Sequence, residues 1–250
     1  MANLTQLRML EGLSGFLLVD KPAGIAFASV IKAVKRRFNL VKVGHGGSLD
    51  PAASGLLVLL VNDANHFVGD VMGADRAYEG VMRLGLSTST YDIYGEKSGV
   101  SGWAGVPDDF GERVAKALPE FRGDVFQTES RWCSVRREGS AEYEIADTGE
   151  HSPFLAHVYR IEVGQPEPVG ADDPGVARLT FSVNGTKGLI VRSLVHDFGE
   201  ALGCGACLES LRRLKVGKFD VADAVPFDKV LDTDIADLAS LVVPLSRAFA

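Results

Sequence analysis

The chain of 250 residues is poor in cysteine, has no long apolar run and carries no excess of positive charge. Three cysteines, an odd number in a chain of this length, argue against a disulfide framework. The longest unbroken apolar run, Leu56 to Val61, falls far short of the ~20 residues that cross a bilayer. The first residues, Met1 to Arg8, have no basic segment leading into an apolar one, so no secretory signal is read there. Repeats and low-complexity stretches are missing too. What is present is ordinary for a globular chain: 46% hydrophobic residues, 24% charged residues and 28 glycines. The expectation is a cytoplasmic protein, not embedded in a membrane, folding as one domain over residues 1–250.

Acidic residues outnumber basic ones, 33 to 26, which on its face speaks against a nucleic-acid partner. The distribution says more than the total. Residues 1–50 and residues 178–219 each carry seven Lys or Arg against three acids, a net of +4 apiece, and the remainder sums to −15. Such asymmetry fits a polyanion-binding face if the two segments meet, and equally fits ordinary solvated surface.

Local patterns place the elements. Gly15–Asp20 reads as a buried strand closed by the Lys21-Pro22-Ala23-Gly24 turn. Apolar residues at 27, 30, 31, 34 and 38 predict a helix whose other face carries Lys32, Lys35, Arg36 and Arg37. A glycine-rich loop at 44–47 precedes a strand at Gly55–Val61, and another strand follows at Tyr78–Leu84. Asp108 is the expected cap of a helix that Pro119 stops. Residues 156–163 alternate as a half-buried strand does, and Leu179, Phe181 and Val183 continue that style. Gly164–Gly175 reads as an exposed loop. Ser193–Leu202 and Cys207–Leu214 are expected as two short helices. Strands and helices mix without a regular βαβ period, so the fold class is α+β, a mixed and largely antiparallel central sheet flanked by helices.

Two motifs invite chemistry. Cys204-Gly205-Ala206-Cys207 has CxxC spacing, but a structural zinc needs four ligands and Cys133 stands alone, so buried thiols are expected and no metal. Gly44-His45-Gly46-Gly47-Ser48-Leu49-Asp50-Pro51 lacks the Lys and Ser/Thr of a phosphate loop, and three triad members within six residues cannot reach hydrolase geometry. It does offer a carboxylate whose backbone Pro51 holds extended.

That element is not isolated. In order along the chain stand Lys21-Pro22-Ala23-Gly24, His45-Gly46-Gly47-Ser48-Leu49-Asp50-Pro51, Tyr78, Thr88-Ser89-Thr90-Tyr91-Asp92, Lys187-Gly188-Leu189-Ile190-Val191-Arg192 and Leu211-Arg212-Arg213-Leu214. From about Gly12 to Asp223 this succession resembles the TruB family of tRNA pseudouridine synthases, kin to the guide-RNA-dependent dyskerin-type enzymes.

The resemblance implies the pseudouridine synthase fold with an RNA-binding cleft, and isomerisation of the T-loop uridine at tRNA position 55, with the target base flipped out. No cofactor is implied, because the product is an isomer. Asp50 matches the catalytic aspartate, which either attacks C1′ of the ribose or takes a proton from C2′. Arg192 matches the arginine paired with it, a fixed cation that burial of the carboxylate would demand. Tyr78 matches the tyrosine stacked on the target base, and His45 the histidine inserted into the vacated space. Lys21 falls in the KPxG element and Lys187 in the family's KGTYIR element. Leu211 matches a family leucine that lines the uracil pocket, and Asp92 falls in the TxTxD element, which implies a bond to the RNA or a brace for the pocket. Ile190 stands where the family has a tyrosine, Ala26-Phe27 where it has a hydroxyl pair, and Gly46 where it often has threonine. Trp132-Cys133-Ser134-Val135-Arg136, with Gly139 and Tyr143, is a weak echo of a further family stretch. A C-terminal PUA-type domain is not expected in this chain. The partner expected is the T-arm stem-loop of tRNA, met by a monomer that needs no protein partner. The alternatives are an RNA-binding or tRNA-folding protein with reduced catalysis, and a guide-RNA-dependent relative.

Overall fold

The computed structural model describes residues 12–100, 103–135, 143–170 and 175–248. Along the chain come β1 (Gly15–Lys21), α1 (Phe27–Arg37), β2 (Val43–His45), β3 (Ser54–Val61), α2 (Val68–Gly73), β4 (Arg76–Leu84), β5 (Leu86–Thr88) and β6 (Lys97–Val100). Then follow α3 (Phe110–Ala117), β7 (Gly123–Gln127), β8 (Trp132–Val135), β9 (Glu144–Asp147), β10 (Phe154–Pro168) and β11 (Ala177–Gly185). The last are α4 (Val191–Leu202), β12 (Ala206–Val216), β13 (Phe219–Asp220), β14 (Val225–Pro226), α5 (Phe227–Asp232), α6 (Leu238–Leu241), β15 (Val242–Pro244) and α7 (Leu245–Ala248). The class is α+β, with mostly antiparallel pairing, as the sequence implies.

The chain forms two compact units, one from the residues up to Ala74 together with those from Arg213 onward, the other from Asp75–Arg212. In the first unit, β1 pairs antiparallel with β3 along its whole length and parallel with β14. Both faces of this pair are covered. Leu17, Val19, Leu57, Leu59 and Val61 pack with Val30 and Val34 of α1 and with Phe38 just past its end, while Phe16, Leu18, Leu56, Val58 and Leu60 pack with Val71, Val216 and Phe219. A strand buried on both sides reads as an unbroken apolar run, and each of its leucines contributes roughly 1.5–3 kcal/mol on burial.

In the second unit the strand order is β12-β4-β11-β10-β7. β11 pairs antiparallel with β4 and β10, and β7 pairs antiparallel with β10. Two-stranded ladders β5–β6 and β8–β9 stand apart from it.

Several expectations are corrected here. Cys207–Leu214 is not a helix but the middle of β12. Its apolar residues at 207, 208, 211 and 214 happen to follow helical spacing, and the strand buries residues on both faces, Cys207 and Leu208 among them, so no period of two is imposed. Gly164–Gly175 is not all loop: β10 runs to Pro168, with Pro166 opposite Leu179 and Pro168 opposite Ala177. The β7 pairing ends at Val158, so these prolines lie on a stretch of β10 that needs no N–H on that side. Residues 171–174 of that expected loop lie outside the described ones.

The alternation expected over 156–163 breaks in the middle. Ala156 and Val158 are buried, the register shifts between Val158 and Arg160, and Ile161 is buried next. The extra residue reverses the phase and leaves Tyr159 exposed. Gly44 and His45 belong to β2, so the loop begins at Gly46. The capping position of α3 is Asp109, one residue past Asp108, and Pro119 opens the first turn of a 3-10 segment, Leu118–Phe121.

Candidate active site

Asp50 lies on the loop between β2 and β3, exposed above buried Leu49 and Ala53. Two buried cations fasten this loop, one on each side of Asp50. Lys21, at the end of β1, is fully buried. Its Nζ donates to the carbonyl of Pro22 at 2.9 Å, of Ile25 at 2.8 Å and of Pro51 at 3.3 Å. Three N–H donors meet three carbonyls, and Gly24 N–H also donates to Pro51 O at 2.7 Å. On the other side, Arg213 in β12 is 1% exposed. It donates from Nη1 to Ser48 O at 2.7 Å, from Nη2 to Gly47 O at 3.3 Å and from Nε to Leu56 O at 2.8 Å.

Loop carbonyls taken out of water need partners, and two long cationic side chains supply several donors each. Burial pushes the Lys21 ammonium down to about 8; the Asp50 carboxylate opposes that shift and Arg213 adds to it. Gly55 sits where β3 passes Arg213. With φ of +101° and the Arg213 backbone against its missing side chain, no other residue fits there without strain.

His45 ends β2, half-buried, with its ring 5.0 Å from that of Phe27. Gly47 N–H donates to its Nδ1 at 3.3 Å, leaving the ring proton on Nε2. Burial lowers its pKa, so the imidazole is neutral at pH 7. Lys21, His45 and Asp50 therefore come together in the first unit. Phe27, part of a departure from the family pattern, supports the His45 ring.

The second unit holds the other residues. Tyr78, in β4 opposite Val183 of β11, is 6% exposed. Asp92 is buried in a tight turn. Its Oδ1 accepts from Thr90 Oγ1 at 2.7 Å, Ser134 Oγ at 2.8 Å and Tyr94 N–H at 3.0 Å, and its carbonyl accepts from Thr88 Oγ1 at 2.6 Å. Burial raises its pKa against those hydrogen bonds and the charge of Arg192. Arg192, buried in the first turn of α4, donates from Nη1 to Thr90 O at 2.9 Å, next to this turn.

Ile190 precedes α4, half-buried, with its backbone clasped by the Gln127 amide at 3.1 Å in both directions. Lys187 is exposed, and Leu211 is a buried residue of β12. Asp92, Ile190 and Arg192 thus share one framework, with Tyr78 in β4 and Leu211 in β12. Ser134, from the weakly echoed stretch, turns out to bond Asp92; Tyr143 stacks on Tyr94 at 3.9 Å, and Arg136 and Gly139 lie outside the described residues.

Arg213 and Gln127 are missed by sequence reasoning. Arg213 counts there as one more surface cation, and only its place within Leu-Arg-Arg-Leu, between apolar residues, hints at burial. Cys204 and Cys207 are buried, their thiols pushed up by burial to about 11 and about 12. Among the described residues no three His, Cys, Asp or Glu are grouped to hold a metal, and no helix is long and apolar enough to cross a membrane.

The family model for the TruB family pseudouridylate synthase N-terminal domain matches residues 35–191, and that for the tRNA pseudouridylate synthase B C-terminal domain matches residues 192–250. The chain belongs to the TruB family. Similar TruB proteins include the tRNA pseudouridine synthase B of Pseudomonas aeruginosa (strain UCBPP-PA14), 35% identical over 91% of this chain and 71% of that one. The protein of the same name from Opitutus terrae is 32% identical over 94% of this chain and 95% of its own. In fold, the chain is similar to a chain in the crystal structure of a Cbf5-Nop10-Gar1 complex, with a TM-score of 0.67 at 24% identity. It is similar also to one in an archaeal box H/ACA sRNP Nop10-Cbf5 complex, with a TM-score of 0.64 at 25% identity. This TruB chain spans 63% of the length of each of those two.

Proposed function

We propose that this TruB protein isomerises the T-loop uridine at tRNA position 55 to pseudouridine, as a monomer, with Asp50 as the catalytic carboxylate. The observation that carries the reading is the Asp50 loop. A carboxylate sits exposed on a segment whose carbonyls before and after it are tied down by buried Arg213 and Lys21. A side chain that must meet one ribose carbon gains from such rigidity.

The uridine leaves its stack, and the His45 ring takes the vacated place, a stacking contact worth ~1–3 kcal/mol. Asp50 acts at the ribose, as nucleophile at C1′ or as base at C2′. The N1–C1′ bond breaks, the base turns, and C5 bonds to C1′ while the C5 proton departs and N1 gains one. Atoms balance without a redox partner or an energy source. Tyr78 stacks on the base, Arg192 contributes a buried positive charge, and Leu211 and Ile190 border the uracil. Asp92 and Lys21 act as supports, and Lys187 meets phosphate.

Purified protein incubated with an unmodified T-arm stem-loop, followed by mapping of pseudouridine, tests this directly. Product is expected from the chain alone; a well-folded sample that makes none refutes the reading. A requirement for a guide RNA or a second protein would move it to the guide-dependent branch. Asp50→Asn is expected to abolish product while RNA affinity stays within roughly tenfold, since the change removes chemistry and not phosphate contacts.

A further inference from the structure

The backbone around His45 is held firmly. Val43, Gly44 and His45 pair with Val61, Leu60 and Leu59 of β3, and Gly46 N–H donates to Val58 O at 2.9 Å. Gly44 lies against Asn65 and Gly46 against Val71, so closely that a Cβ on either would collide. The place of residue 45 is therefore set, and what stays open is the direction of its ring.

Two torsions decide that direction. The outer one has broad minima in histidine, so the groups beside the ring must select it. Among the described residues the ring has one hydrogen bond, from Gly47 N–H to Nδ1 at 3.3 Å, which is long. It has one ring contact, with Phe27, at 5.0 Å between centroids and a 58° angle between planes. That is the tilted arrangement aromatic pairs favour over face-to-face stacking. Residues of a strand alternate in face, which puts His45 on the side of Val43. Val43 and Phe27 both pack against the core that contains Val30, Val34 and Leu59. Phe27 opens α1 and is rooted in that core, so it is the fixed member of the pair.

We propose that Phe27 is a positioning residue: its ring holds the His45 imidazole in the direction from which it enters the space left by the flipped base. This rests on the reading of His45 as the residue that takes that space. Both side chains belong to the first unit. An imidazole already held loses little freedom on meeting RNA, so more of its stacking contact is realised as binding of the flipped state. Where the family pattern has a hydroxyl pair, this chain has Ala26-Phe27, which leaves α1 without a side-chain cap and places a ring beside His45.

The test uses the whole chain as wild type, Phe27→Leu and Phe27→Tyr. The first change keeps an apolar contact with the core and removes the ring; the second keeps the ring. Turnover of a T-arm stem-loop is compared among them, and again with His45→Ala in place. Phe27→Leu is expected to lower kcat/KM by roughly fivefold, and Phe27→Tyr to recover most of that loss. With His45→Ala present, Phe27→Leu is expected to cause no further loss, because the ring it acts through has gone. NMR of the 13C-labelled histidines, with the His45 signal assigned through His45→Ala, reads the contact in the free protein. That signal is expected to move in Phe27→Leu and to stay near its wild-type position in Phe27→Tyr. Wild-type kcat/KM in Phe27→Leu overturns the proposal, and so does an equal loss with and without His45. Should the wild type itself be inactive, the functional reading fails, and the NMR arm still decides: a His45 signal unmoved by Phe27→Leu overturns the positioning role whatever the activity.

Discussion

A buried cation is an unusual way to hold a loop, and this TruB protein uses two, on either side of Asp50. Arg213 is the more demanding. Its fork serves Ser48 O, Gly47 O and Leu56 O from one plane. Lysine brings a single ammonium on a flexible stem and cannot reproduce that geometry. Arg213→Lys is expected to lose roughly 2–3 kcal/mol of stability through unsatisfied buried carbonyls. Turnover should fall further than RNA affinity; urea unfolding and kinetics on the stem-loop check both. Lys21 yields a pH prediction. Its folded pKa, about 8, lies below the unfolded value of 10.5, so the fold carries a burial penalty that is complete below pH 8. That penalty lifts as pH climbs from about 8 to 10.5, because the unfolded chain then binds more protons than the folded one. The wild type should therefore gain about 1–3 kcal/mol on Lys21→Met between pH 7 and pH 10, by urea unfolding at each pH. Residues of this kind show how far the sequence was readable. Asp50, His45 and Lys21 were legible because the motif places them. Arg213 was not, because a buried arginine and a surface arginine are the same letter until the strand that carries it is known.

At the scale of elements, α1 begins without a cap. Ala26 has the extended backbone of a capping residue, φ −66° and ψ 138°, but no side chain to accept a hydrogen bond. Lys35, Arg36 and Arg37 at the other end favour the helix dipole and partly compensate. Arg37 also donates to Leu231 O at 2.8 Å and Thr233 O at 2.7 Å, closing the end of α5. Ala26→Ser should add about 0.5–1 kcal/mol and raise Tm by roughly 1–4 °C in calorimetry, with turnover unchanged. The helix itself was plain from its apolar spacing, as were β1 and β3 from their apolar runs. β12 does not read as a strand because it buries residues on both faces and carries buried Arg213 in place of an apolar residue. The phase reversal in β10 was invisible for a different reason: a bulge changes which face a residue takes without changing any residue type.

Across the molecule, the charge asymmetry is partly internal. The two basic segments hold Lys21, Arg192 and Arg213, and all three are buried, so part of the local excess is structural and never meets solvent. The exposed cations of those segments include Lys32, Lys35 and Arg36 on α1, with Lys42 beyond it, and Lys187, Lys215 and Lys218. Of these, Lys215 already holds Asp220 at 3.0 Å. In a chain with a formal net charge of −7, attraction of RNA phosphate must come from such local clusters and not from the average field. Each phosphate contact adds about 0.7–0.9 to the slope of log K against log salt. If α1 lies on the RNA, replacing Lys32, Lys35 and Arg36 by glutamine should reduce that slope by roughly 2, and Asp50→Asn should leave it as it is. The measurement is binding of the T-arm stem-loop from low to moderate salt, for the wild type and the two variants. A slope unmoved by the triple replacement would take α1 off the RNA and leave Lys187, Lys42 and Lys218 as the cations that meet phosphate.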